Sequence, residues 1–231
     1  MTTPIGVFFD IDGTLLHVDG AGRRAFSRAI EAEFGWQDTI EYIQFAGATD
    51  LDVLHRIAKV QGGTLTESGI RKFFDQLPAE LANTAHEGDA TLFSGVRELI
   101  ERLAAHPDAH LGLITGNEER CARIKLSLFG LDPHFAFGAY GHEHGDRIEI
   151  ARLADQRLLE LLPPDTRPRR YLLGDTPSDI AAARAIDATA IGVATGVFGR
   201  QALLEAGADL VLDTLANTGE ILAFLGFSHS A

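Results

Sequence analysis

Three short stretches of this 231-residue chain combine carboxylates, hydroxyls and glycines in a way that could do chemistry. They are Asp10-Ile11-Asp12-Gly13-Thr14, Thr115-Gly116-Asn117 and Gly174-Asp175-Thr176-Pro177-Ser178-Asp179. They follow the apolar runs Ile5–Phe9, 111–114 and 171–173. If those runs are neighbouring strands, Asp10 and Asp175 converge on one point. Carboxylates packed together repel, so a positive species belongs between them. The set offers hard oxygen donors with no His or Cys beside them. That points to Mg2+, which binds through a few carboxylates, waters and a substrate's phosphate.

The neighbouring residues fit an anionic ligand. Thr115 can donate a hydroxyl hydrogen bond to a phosphate oxygen, and backbone N–H groups at the helix start after Gly116 would add an anion site. Gly13 and Gly116 allow the backbone to approach closely. Asp10 and Asp12 can face one ligand only if the chain curls after Asp10, and Gly13 permits that curl. Two such carboxylates can divide the work, one ionised as nucleophile and the other carrying a proton. Each fragment also has a plain structural reading. Asp10 to Thr14 could be a capped turn, Thr115 an N-cap, and Asp175 and Asp179 helix-start carboxylates favoured by the dipole. Their joint occurrence at strand ends favours the chemical reading. His142 and His144 lack a third ligand and are read as loop residues. Two further loops, 19–23 and 47–50, could reach a substrate or could be turn chemistry alone.

These groups need a scaffold that brings strand ends together. Ile5–Phe9 is a continuous apolar run, the pattern of a strand buried on both faces of a parallel sheet. Similar runs occupy 111–114, 171–173 and 190–193, with a weaker one at 209–212. Between them lie helical stripes: Val96, Leu99, Ile100 and Leu103; then Ile124, Leu126 and Leu128, stopping near Gly130; then Ile150, Leu153, Leu158, Leu159 and Leu162; then Ile180, Ala183 and Ile186. Strand–helix alternation implies an α/β fold, a Rossmann-like doubly wound parallel sheet with right-handed crossovers. In such sheets ligands bind at the carboxyl ends of the strands, where the three stretches fall. The segment from His17 to Asp89 breaks the rhythm with helical stripes alone, such as Ala25, Phe26, Ala29, Ile30 and Phe34. It is expected to form a small all-helical cap (residues 17–89) inserted after the first strand of a core made of residues 1–16 and 90–231.

The residues also carry a resemblance. FFDIDGTLL is similar to motif one of the haloacid dehalogenase-like hydrolases, DxDGT followed by apolar residues. LLITGN resembles motif two, and LLGDTPSDI resembles motif four, GDxxxD. The order and spacing hold from about Ile5 to Ile221, and the insert's position resembles the C1-type cap of the phosphoglycolate phosphatase and β-phosphoglucomutase branch. The resemblance implies an Mg2+-dependent phosphomonoester hydrolase acting on a small phosphorylated metabolite through an aspartyl-phosphate. Asp10 would attack phosphorus and bind the metal. Asp12 would carry the proton, and its carbonyl would bind the metal. Thr115, with Gly13, Gly116 and Asn117, would hold the phosphoryl group. Asp175 and Asp179 would complete the metal ligands. Motif three, usually a lysine followed by proline, has no direct counterpart. Its candidates are Lys125 and Arg147. Lys125 sits well into the helix after the second strand, over ~10 Å from the helix start at ~1.5 Å per residue. Arg147, placed in a loop before the next helix, is the favoured cation. An arginine there keeps the charge and adds a bidentate fork.

Bulk properties narrow the field. With 45% hydrophobic and 23% charged residues the chain is an ordinary globular protein. One cysteine, Cys121, excludes an internal disulfide and fits a reducing compartment. A net charge of −13 argues against nucleic-acid binding. Neither a signal segment nor a run of ~18 apolar residues is found, so no membrane association is expected and the expected location is cytoplasmic. Two alternatives remain: a phosphomutase of the same fold, and a non-catalytic phosphate-binding module. Asp12 argues against a carbon–halogen hydrolase, and the intact set of Asp10, Asp12, Thr115 and Asp175 argues against a mere binding module.

Overall fold

In the computed structural model, residues 3–37, 40–85 and 90–227 are described. The chain starts with β1 (Ile5–Phe9) and β2 (Leu16–Val18). The helices α1 (Ala21–Phe34), α2 (Asp50–Gln61) and α3 (Glu67–Ala85) follow, and β3 (Ala90–Leu92) closes this part. Then α4 (Val96–Ala104), β4 (Ala109–Ile114), α5 (Glu119–Ser127), β5 (Phe137–Ala139), α6 (Arg147–Leu161) and β6 (Arg169–Gly174) alternate. The same rhythm continues through α7 (Pro177–Ala185), β7 (Thr189–Val193), α8 (Arg200–Glu205), β8 (Leu210–Leu212) and α9 (Thr218–Leu225).

The main sheet has six strands in the order β5-β4-β1-β6-β7-β8. All its neighbouring pairs are parallel. This is the doubly wound α/β sheet that the apolar runs imply. Every residue of β1 is buried, and the period-two alternation sends its side chains into two separate cores. Val7 and Phe9 join Leu111, Leu113, Leu173 and Ile191 on one face. Phe8 joins Ile114, Leu172, Ile150 and Leu158 on the other. Because β1 lies between β4 and β6, and the chain visits one flank before the other, its carboxyl end opens at the topological switch point.

Helices α1 and α3 pack through Phe26 and Phe73, whose rings meet edge-on at 4.8 Å. Of the expected stripe, Ala25, Phe26, Ala29 and Ile30 are buried, and Phe34 is partly buried against the same core. The block does contain a little sheet: β2 and β3 pair antiparallel at its stem, Leu16 opposite Leu92. Three residues per strand are too few to leave a pattern in the sequence. The expected boundary between residues 16 and 17 falls inside β2. Among the described residues no helix is long and apolar enough to cross a membrane.

Two other local expectations need correction. Strand β5 carries no long apolar run and was not anticipated; it is a three-residue edge strand centred on Gly138. The inward face of α5 is Cys121, Ala122, Lys125 and Leu126, spaced i, i+1, i+4 and i+5 as a helix demands. Of the anticipated stripe Ile124, Leu126 and Leu128, Leu126 is buried and Leu128 is 40% exposed.

Candidate active site

The chain leaves β1 at Asp10 and turns sharply. Leu15 N and Leu16 N both donate to Ile11 O, and Gly13 takes φ +85°, a conformation that disfavours a side chain. A Cβ there would lie 2.4 Å from Asp175 Oδ2, so Gly13 also makes room for that carboxylate. Gly196, in the loop after β7, does the same from the other side, with a Cβ position 1.7 Å from Asp175 Oδ2. No sequence motif had marked Gly196.

Asp179 is held by its helix. Thr176 is the N-cap of α7, and its side chain and backbone N–H both donate to Asp179 Oδ2, at 2.7 and 3.0 Å. In return Asp179 N donates to Thr176 Oγ1, completing a capping box. Asp179 is thus both the helix-start carboxylate and a site residue: capping occupies Oδ2 and leaves Oδ1 to face inward. Oxygens of Asp10, Asp175 and Asp179, all buried, lie within 4.8 Å of one another.

Arg147 sits against this cluster. It is the first residue of α6, capped by Asp146, rather than a loop residue. Its Nη2 donates to Asp10 Oδ1 at 2.6 Å and to Ile114 O at 3.1 Å. The same nitrogen lies 2.6 Å from Asp179 Oδ1. That ion pair lacks hydrogen-bond alignment, leaving Asp179 Oδ1 a buried oxygen with an unfilled acceptor site.

Lys125 is also in the site, contrary to the argument from helix rise. Side chains on a helix lean toward its N-terminus, so a long one on the inward face of α5 reaches back over the turn that precedes it. Lys125 Nζ donates to Asp12 Oδ1 at 2.8 Å, Asp12 Oδ2 at 2.7 Å and Asn117 Oδ1 at 2.6 Å. Asn117 Nδ2 donates to Asp12 Oδ2 at 2.7 Å and to Thr115 Oγ1 at 2.8 Å. Thr115 is fully buried and accepts here, which keeps its own proton available to a ligand.

The helix start after Gly116 differs from expectation. Glu118 N donates to Asp50 Oδ2 at 2.6 Å, and Cys121 N donates to the Glu118 side chain. Carboxylates of the protein itself fill this anion site. Asp50 comes from the N-terminus of α2 and belongs to a set of stitches between the helical block and the sheet's loops. Asp50 N donates to Gly116 O, Leu51 N to Gly141 O, and Thr49 Oγ1 to Gly145 O. The contact is too close for side chains: a Cβ on Gly116 would lie 2.0 Å from Ala48 O. A cavity of about 790 Å³ lies between the two parts, lined by Asp10, Asp12, Lys125, Arg147 and Asp175 from the strand ends and by residues of the helical block.

Electrostatics divides the carboxyls. Burial raises Asp10 above the ordinary value in spite of Arg147, helped by the charges of Asp179 and Asp12. Burial and the charges of Asp10 and Asp179 raise Asp175 as well. Burial pushes Asp50 up to about 7. Burial alone would raise Asp12 too, but the Lys125 ammonium overcomes it and, with the bond from Asn117, holds Asp12 below the usual range. Burial also pushes the Cys121 thiol up, so it is no nucleophile.

The residues fit a hard divalent cation. Three buried carboxylates are crowded together, two of them raised, one oxygen is unfilled, and two glycines clear the space beside Asp175. Comparisons with known proteins agree with the fold. A model of the haloacid dehalogenase-like hydrolases matches residues 6–187. No curated protein sequence matches significantly. Among solved structures, CbbY from Rhodobacter sphaeroides, a variant in complex with xylulose-(1,5)bisphosphate, superposes with a TM-score of 0.70. It is 24% identical, over 93% of this chain and 96% of that one. A hydrolase from Pseudomonas syringae is 22% identical with a TM-score of 0.68, covering 95% and 98%. A predicted phosphoglycolate phosphatase from Haemophilus somnus is 21% identical with a TM-score of 0.66, covering 96% and 99%. The family model spans the turn after Asp10, the Thr115 loop, Arg147 and the Asp175–Asp179 pair in one sweep, and the chain belongs to the haloacid dehalogenase-like hydrolases.

Proposed function

We propose that the protein is an Mg2+-dependent phosphomonoester hydrolase acting on a small phosphorylated metabolite through an aspartyl-phosphate on Asp10. The observation that carries this reading is the placement of Asp10: a buried carboxylate at the end of the central strand, one oxygen bonded to Arg147, grouped with Asp175 and Asp179 and open to the cavity. The names of the structural neighbours, which include predicted phosphatases and a protein in complex with phosphate or a sugar bisphosphate, support it.

Asp10, Asp175 and Asp179, with the Asp12 carbonyl, would hold the metal, which when bound supplies positive charge to the phosphoryl oxygens. An Asp10 oxygen attacks phosphorus and the bond to the leaving oxygen breaks, with Asp12 carrying the proton to that oxygen. Water then attacks phosphorus, Asp12 takes its proton, and the bond to Asp10 breaks. Lys125 and Asn117 favour the ionised form of Asp12, the form the second step needs. Thr115 donates to a phosphoryl oxygen, beside Gly13, Gly116 and Asn117. Arg147, which bridges Asp10 and Asp179, serves as the motif-three cation. Residues 17–89 act as the cap, closing over the core, excluding bulk water and selecting the leaving group. The test is hydrolysis of p-nitrophenyl phosphate with and without Mg2+, for wild type and Asp10→Asn. Metal-dependent turnover lost to background in a variant with an unchanged circular dichroism spectrum is expected. Near-wild-type turnover by Asp10→Asn would refute the nucleophile assignment.

A further inference from the structure

The cavity above Asp10 is polar on the side of the strand ends. Toward the helical block the lining is mixed, with Phe26, Phe45, Leu77 and Leu81 beside His17 and Gln44, and Phe93 after β3 adds to the apolar part. The cations that line it already have partners. Arg147 is engaged by Asp10 and Asp179. Lys125 is engaged by Asp12 and Asn117. The guanidinium of Arg23 donates to Ile40 O and Ile43 O and lies 4.8 Å above the Phe45 ring. The carboxylates of Asp10, Asp12, Asp50 and Asp175 line the same space. A ligand with a second anionic group would find Arg147 and Lys125 already paired with carboxylates and the Arg23 guanidinium turned to backbone carbonyls and the Phe45 ring. A volume of about 790 Å³ leaves room for a ring beyond a phosphate.

Resting on the reading of the site as a phosphomonoester hydrolase, we propose that its preferred substrates are phosphate esters of uncharged, apolar alcohols. A ring or branched alkyl leaving group would pack against the partly buried rings of Phe45 and Phe93, which sit over the buried side chains of Phe26, Leu77 and Leu81. A sugar bisphosphate or a carboxylated ester would leave hydroxyls or charges unpaired against those side chains.

The experiment compares kcat/KM, with Mg2+ present, for phosphate esters of primary alcohols, so that leaving-group chemistry is similar throughout. Benzyl and cyclohexylmethyl phosphate stand against glycerol phosphate, a hexose 6-phosphate, phosphoglycolate and a sugar bisphosphate, with p-nitrophenyl phosphate as control. The apolar esters are expected to lead by roughly tenfold or more, the scale of burying a ring that would otherwise stay wet. Phe45→Ala, at a partly buried position, is expected to cut that ratio severalfold. Calorimetric binding of benzyl phosphate to Asp10→Asn gives the same comparison without turnover. If p-nitrophenyl phosphate is hydrolysed but a polyol, carboxylated or bisphosphorylated ester leads, this inference falls and the hydrolase reading stands. If p-nitrophenyl phosphate is not hydrolysed, both fall. A ratio that survives Phe45→Ala unchanged overturns the placement of the leaving group.

Discussion

Replacing Arg147 by methionine keeps most of the aliphatic stem and removes the cation from the middle of the acidic cluster. The side chains of Arg147, Asp10 and Asp179 are 7%, 8% and 0% exposed, so water does little to screen what remains. Breaking a buried pair by deleting one partner costs about 3–5 kcal/mol, because the other charge is left uncompensated. In a chain of this size 1 kcal/mol moves the melting temperature by roughly 2–4 °C. The metal-free variant should therefore melt about 6–20 °C below wild type. A divalent cation can restore part of the loss: at a hundred times its Kd, bound Mg2+ adds about 2.7 kcal/mol. The assay is thermal denaturation followed by circular dichroism in EDTA at pH 7.5, repeated over a series of Mg2+ concentrations. Lowering the pH to 5 should shrink the gap, because protonated carboxyls no longer need a counter-charge. A metal-free shift under about 2 °C would refute the claim that Arg147 compensates buried charge.

The wild-type protein without metal should lose stability as pH rises. Asp10 and Asp50 are raised from 3.8 to about 7 and Asp175 to about 9, so above pH 4 the folded state holds protons that the unfolded chain has released. Melting temperatures in EDTA should fall between pH 5 and pH 8, and saturating Mg2+ should flatten that slope; a rising metal-free slope would contradict it. Gly196→Ala puts a Cβ where Asp175 Oδ2 now lies, 1.7 Å away. It should weaken Mg2+ binding by roughly 10–100-fold in calorimetry, the range seen when a supporting contact behind a metal ligand is lost.

Much of the site was legible because its motifs are backbone features as well as side chains. Asp10 and Asp175 follow apolar runs that can only be buried strands, and Gly13 sits where the left-handed turn forbids a Cβ. The sheet was legible for the same reason: strands buried on both faces leave continuous apolar runs. Strand β5 escaped because an edge strand of three residues with a central glycine has no such run. The pair β2–β3 escaped because its partners lie some seventy residues apart in the chain, and no local pattern encodes that meeting. Asp50 and Gly196 enter the site by long-range packing, one from α2 and the other from beyond β7. Lys125 was misjudged for a different reason. Rise along the axis measures where a Cα is, whereas the reach of a lysine depends on which face of the helix it occupies. Once Cys121, Ala122 and Leu126 are known to face inward, Lys125 must face inward with them.

That correction changes how the chemistry divides. A site with one cation would have to neutralise both neighbouring carboxyls, Asp10 and Asp12, from a single position. Here Arg147 approaches Asp10 from α6 and Lys125 approaches Asp12 from α5. The two carboxyls therefore titrate in opposite directions: Asp10 is raised by burial and by the charges of Asp179 and Asp12, and Asp12 is lowered by Lys125. The arrangement gathers the uncompensated negative charge in the cluster of Asp10, Asp175 and Asp179, where a divalent cation would relieve it. It leaves the titration of Asp12 to Lys125 and Asn117 rather than to that cation. Lys125→Met should thus raise the acidic limb of the pH–rate profile and leave Mg2+ affinity close to wild type, whereas Arg147→Met should change both. If Lys125→Met altered metal affinity as strongly as Arg147→Met, the two cations would be acting on one charge cluster, and the division of labour argued from their separate partners would fail.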